Sequence, residues 1–193
     1  MCEVFAKEVS KPLEDKLYNF LVSHQINLSN DTDIISVCKK LKLTGLYMPL
    51  DETMDGFILV NNKYRVIAIK ESLEPLDARF LIAHELGHYI TAYDESKDES
   101  NQFVVAARET FRHGAEKPFM EHQMDYLGAA ILVPREQLKR ELEEMKINYN
   151  NLHTETDVMN HIPYDVISYF ANRYRVSKQL IIRRIAEVSY YAA

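Results

Sequence analysis

The stretch RFLIAHELGHYI, residues 79–90, places His84 and His88 four positions apart with Glu85 between them, in an otherwise apolar run. On a helix, residues four apart lie one above the other on the same face, so both imidazoles can point at a single ion. Glu85 is offset by one position, close enough to act on a water at the metal without being a ligand itself. This is the HExxH arrangement, in which Zn2+ lowers the pKa of the water and the glutamate takes its proton. Phe80, Leu81, Ile82 and Ala83 precede the motif and can bury it, and Gly87 lets another segment or a substrate come close. The plainer alternative is an amphipathic helix that carries two histidines. A catalytic zinc site needs a third protein ligand and an open position.

A second stretch, EHQMDYLGAAILVP at 121–134, offers that ligand. Glu121 opens an apolar helix and Asp125 follows one turn later on the same face. A ligating glutamate and a nearby aspartate make a consistent set, because the aspartate can accept the free N–H of a ligand histidine and fix its tautomer. Acidic residues at a helix N-terminus also occur with no metal nearby. His122 is a rival ligand from the same turn, but it faces about 100° away from Glu121, so both are not expected to bind one ion.

Outward from these two segments the chain reads as α+β, with helices dominating. KPLEDKLYNFLVSHQ has Leu13, Leu17, Phe20 and Leu21 at helical spacing, with Pro12 expected to open the helix. SNDTDIISVCKKLKL suggests a second helix with Asp31 or Thr32 as N-cap. TGLYMPL, GFILV and YRVIAIK read as strands, the last two joined by a hairpin at Asn61-Asn62-Lys63. The helical period begins near Pro75 and runs through the HELGH segment. YDESKDESN, 93–101, reads as an acidic surface loop, and QFVVAARETF as a further strand. These give a three-stranded or larger mixed sheet. After the second motif, Pro134 leads into PREQLKRELEEM, and DVISYFANRYRVSKQLIIRRIAEV reads as two helices joined at Arg175-Val176-Ser177, with Ser177 as N-cap. The expected division is 1–150 for the domain that carries both motifs and 151–193 for a helical extension packed on it.

Composition narrows the function classes. Apolar residues are 47% and charged residues 27% of the 193, an ordinary balance for one core. The net charge of −6 gives no general footprint for nucleic acid. Cys2 and Cys38 form neither a CxxC pair nor a disulfide framework. No signal peptide is visible and no run approaches the ~18 apolar residues of a membrane span, so a cytoplasmic setting without membrane contact is the expectation.

With both motifs in order, the chain resembles the ImmA/IrrE family of HExxH metallopeptidases over about residues 30 to 187. DGFILVNNKYRVIAIKESLEPLDARFLIAHELGHYI is similar to the family's two strands leading into the zinc helix, and EHQMDYLGAAILVP to its second motif. ISYFANRYRVSKQLIIRRI resembles its closing helices. The resemblance implies a zincin-like fold, His84, His88 and Glu121 as zinc ligands, and Glu85 as general base. It puts Asp125 on an Asn/Asp position. Met124 and Gly128 stand where Ala is usual, Leu127 where Phe is usual and Val133 where Met is usual, all of which read as packing changes.

It also implies a regulatory protease that cleaves or otherwise inactivates a helix-turn-helix repressor, releasing a mobile element or stress genes. Tyr89, Tyr93, His113, His122 and Tyr126 are open candidates for holding the oxyanion. The rival from another class is a protein that captures a repressor or antitoxin without cutting it, with zinc in a structural role. A third reading uses the helix-turn-helix-like end: Arg173, Arg175, Lys178, Arg183 and Arg184 outnumber Asp165 and Glu187 there and could meet phosphates. Phe170, Val176, Ile181, Ile182 and Ile185 instead suggest a hairpin packed on the domain, which disfavours direct nucleic-acid binding.

Overall fold

The computed structural model describes residues 7–30, 32–98, 101–109 and 118–191. Two helices, α1 (Lys7–Ser23) and α2 (Ile34–Lys40), lead into β1 (Thr44–Met48), β2 (Met54–Val60) and β3 (Arg65–Lys70). Then come α3 (Pro75–Ala92), β4 (Val104–Glu109), α4 (Phe119–Leu132) and α5 (Arg135–Glu144), and finally α6 (Glu155–His161), α7 (Tyr164–Tyr174) and α8 (Lys178–Tyr191). The architecture is α+β and zincin-like, helices dominating around a small mixed sheet.

The four strands lie in the order β1-β3-β2-β4. β1 runs parallel to β3, while β2 is antiparallel to both β3 and β4. The β2–β3 turn closes where Asn61 Oδ1 accepts from the backbone N–H groups of Lys63 and Tyr64, at 2.8 and 2.7 Å. Ile58 and Val60 alternate with half-buried neighbours along β2, as a strand with one covered face requires. Central β3 buries Ile67 and Ile69 beneath α3, and the small Ala68 between its cross-strand partners Leu46 and Phe57.

α3 packs on β2, β3 and β4 on one side and on α1, α2 and α4 on the others. Every residue from Leu81 to Ile90 is buried, which fits its unusually apolar sequence. One hydrophobic cluster runs from Leu17 on α1 through α3 and α4 to Val188 on α8. The closing helices bury Phe170, Val176, Ile181, Ile182 and Ile185 into it. Ser177 Oγ accepts from Leu180 N–H at 3.2 Å, as its reading as an N-cap requires.

Three local expectations change. Pro12 lies inside α1, more than a turn past its start, so it does not open that helix. The cap of α2 is Asp33, whose carboxylate accepts from Ile35 N–H. Thr32 is diverted to the preceding turn, its hydroxyl accepting from Ser29 N–H at 2.6 Å, and Asp31 lies outside the described residues. α6 was not expected at all; a reciprocal capping box between Thr154 and Asp157 sets its start.

A buried ion network ties the two ends of the chain together. Arg184 is fully buried; its guanidinium donates to Glu14 at 2.8 Å, Glu187 at 3.1 Å and the Val133 carbonyl at 2.9 Å. Glu14 also meets Arg135 at 2.9 Å and accepts from the Tyr126 hydroxyl at 2.8 Å. The basic residues near the C-terminus are therefore largely engaged: Arg183 pairs with Glu187 at 2.9 Å, and Arg173 with Glu141 at 3.0 Å.

Candidate metal centre

α3 and α4 cross so that contact partners ascend on one helix as they descend on the other, with His84 meeting Gly128 and Asp125, and His88 meeting Glu121. The close approach needs two small residues. A Cβ at Gly87 would stand 3.3 Å from Leu127 Cβ, and one at Gly128 would stand 3.0 Å from the His84 backbone nitrogen. Gly128, which read as a packing change, thus sets the distance between the two helices beside a candidate ligand.

At this crossing His84, His88 and Glu121 each bring a ligand atom within 4.8 Å of the others. His84 Nε2 is 3.1 Å from one Glu121 oxygen and His88 Nε2 is 3.2 Å from the other. Ligands bound tetrahedrally at about 2.0–2.1 Å stand roughly 3.3–3.4 Å apart, so the spacing suits one small ion between them. His84 Nδ1 lies 2.8 Å from Asp125 Oδ1. A carboxylate only accepts, so Nδ1 carries the hydrogen and Nε2 of the neutral ring turns its lone pair toward Glu121.

Lone pairs and a carboxylate facing one another in a buried site repel unless a cation lies between them. His88 Nε2 and Glu121 Oε2 are buried there without a hydrogen bond. The residues present therefore fit a divalent metal. Two imidazoles and a carboxylate are a zinc-type donor set.

Glu85 is fully buried at the next position of α3 and stands outside the convergent trio. Asp125 sits one turn from Glu121 on α4 and is buried beside His84. The candidates for holding an oxyanion divide. The Tyr89 hydroxyl accepts from Arg65 at 3.0 Å, and that of Tyr126 donates to Glu14. Tyr93 packs against Phe20 and His24. His122 is half-buried on the first turn of α4, and His113 lies outside the described residues.

Sequence reasoning missed the Glu14–Arg184 network behind α4. Its signal was present: Glu14 sits on the apolar stripe of α1 between Leu13, Leu17 and Leu21, and Arg184 among Ile181, Ile185 and Val188. No helix among the described residues is long and apolar enough to cross a membrane.

No curated protein matches the chain. The family profile described as the IrrE N-terminal-like domain of M78 peptidases matches residues 38–186, which span the sheet, both motif helices and most of the closing pair. The fold, the convergence of His84, His88 and Glu121 and this match agree, and the chain belongs to the M78 peptidase family of IrrE N-terminal-like, metallopeptidase-like domains.

Proposed function

We propose that the protein is a zinc-dependent endopeptidase whose substrate is a helix-turn-helix repressor or antitoxin, cut or otherwise inactivated so that repressed genes are released. The observation that supports it most is the convergence of His84, His88 and Glu121 at one buried point, with Glu85 next to it on the same helix. A structural site would have no use for the extra glutamate and would close its fourth position with a protein ligand.

In this reading His84, His88 and Glu121 hold the zinc, which supplies Lewis acidity toward the scissile carbonyl and the attacking water. Asp125 accepts from His84 Nδ1 at 2.8 Å, which fixes the tautomer and keeps Nε2 available as a donor atom. Glu85 takes the proton of the attacking water on its carboxylate and passes it to the leaving amine. Its burial keeps that carboxylate away from bulk water, so the proton stays at the reaction site.

Glu85→Gln tests the assignment. The amide cannot accept the proton, so cleavage should fall by about 100- to 10,000-fold, while the variant still binds one zinc. The measurement pairs metal content with the integrity of a candidate repressor, such as the product of a neighbouring gene. Undiminished cleavage by Glu85→Gln would remove Glu85 from the mechanism. Tight binding of the repressor without any cut by the wild type would favour the capture function instead.

A further inference from the structure

The groove beyond the His84–Asp125 pair has no part in the chemistry above. Along α3, Phe80 and Leu76 continue the line of His84 at four-residue spacing, and along α4 Ala129 continues the line of Glu121 and Asp125. Both lines run into a cavity of about 190 Å3 walled by Leu76, Phe80, Ala129, Val176 and Leu180. The last two come from the α7–α8 turn and the first turn of α8, so the closing helices supply one side. Asp77, Asp125, Ser177, Gln179 and Arg183 line it as well.

Size and chemistry narrow what can enter. Sites for whole small molecules hold about 300–1,000 Å3, so this cavity suits a single side chain better than a free ligand. Five of its ten lining residues are aliphatic or aromatic, enough to hold an apolar group beside polar contacts. The carboxylate of Asp125 and the guanidinium of Arg183, the latter held by Glu187 at 2.9 Å, add one acceptor and one donor suited to a peptide backbone. Asp125 links the cavity to the candidate ligands. The same Asp125 that meets His84 at 2.8 Å borders the cavity, which lies about one helical turn, ~5.4 Å, further along the α3–α4 crossing.

We infer that this cavity receives an apolar, leucine- to phenylalanine-sized side chain of the substrate peptide next to the scissile bond. This rests on the zinc-peptidase reading and deepens it: the closing helices act in substrate choice. Repressor segments that offer a buried-type residue in an extended stretch are then the preferred class.

The test uses the zinc-loaded full chain and calorimetric titration with acetohydroxamate and with peptidyl hydroxamates that carry an isobutyl or benzyl group. Burial of the added group should tighten binding by about tenfold to a hundredfold over acetohydroxamate. Leu76→Trp and, separately, Leu180→Trp fill the cavity from two walls. Each should erase most of that gain and leave zinc content and acetohydroxamate affinity unchanged, which also shows that the variant is folded. Equal affinity of the wild type for all the hydroxamates, or an undiminished gain in both Trp variants, overturns the cavity assignment and leaves the zinc site standing. Failure of acetohydroxamate itself to bind the zinc-loaded protein overturns the peptidase reading, and the cavity assignment with it.

Discussion

Two clusters of buried charge meet at neighbouring residues of α4. Tyr126 belongs to the network of Glu14, Arg184, Arg135 and Glu187, and Asp125 belongs to the crossing with His84, His88 and Glu121. In the first cluster Glu14 and Glu187 face Arg184, Arg135 and Arg183 at 2.8–3.1 Å and Glu136 meets Arg135 at 3.3 Å, so three carboxylates match three guanidiniums. In the second, Glu121 and Asp125 face the two imidazoles, and Asp125 accepts from His84 Nδ1. With neutral imidazoles the second set carries two negative charges, which a divalent cation balances. Burial alone therefore does not mark a functional site; the uncompensated negative charge does.

The balanced cluster should govern stability. Glu14→Gln removes one charge and leaves Arg184, wholly buried, with only Glu187 as counter-ion. Breaking such a pair costs about 3–5 kcal/mol, to be read from urea unfolding of the metal-loaded variant. Burial pushes the Glu14 carboxyl up, but Arg184 and Arg135 outweigh it and hold its pKa below the ordinary 4.5. A lowered pKa in the folded state gives a stabilisation that is complete above that ordinary value and disappears as pH falls through the folded one. The wild type should thus lose stability steeply below about pH 4.5, and Glu14→Gln should lose less over the same range. The zinc affinity of the folded variant should stay unchanged. A large drop in affinity would show that the two clusters are one unit.

The unbalanced cluster should govern metal binding, and Asp125→Asn probes it gently. The amide oxygen can still accept from His84 Nδ1, but without the charge that makes the ring a better donor. Zinc affinity should weaken by about 10- to 100-fold, measured by competition with a chromophoric chelator, with little change in unfolding of the metal-free protein. Unchanged affinity would mean that Asp125 does not orient His84.

The same contrast explains what the sequence revealed. His84 and His88 are legible because their relation is local: four positions on one helix. Glu121 depends on how two distant helices cross, and only the second motif and the family resemblance pointed to it. β2, β3, α3, α4 and the α7–α8 pair follow from periodicity. α6 buries only Val158 among its seven residues, so no apolar stripe announces it and the capping box was its only signal. The Glu14–Arg184 pair left a signal that each half alone could not decide. Its partners lie 170 positions apart, and a charged residue on an apolar stripe counts as surface until its partner is found.

The finest test of the comparison is Gly128→Ala, because two effects of similar size oppose each other at that position. Glycine inside a helix costs about 1 kcal/mol relative to alanine, so propensity favours the change. The added methyl would stand 3.0 Å from the His84 nitrogen and 3.2 Å from its Cα. Those are backbone atoms, so no rotamer change relieves the contact; the helices must separate by a few tenths of an ångström. Overpacking of this kind costs about 1–3 kcal/mol, so the expected outcome is a net loss of roughly 1 kcal/mol. Separation also carries Glu121 away from both histidines, and zinc affinity should fall several-fold even though no ligand has changed. Thermal unfolding and a zinc titration of the same variant decide the matter. A gain in stability with unchanged affinity would mean that the α3–α4 crossing relaxes freely, and that the spacing of the three ligands is set by the metal and not by the glycine.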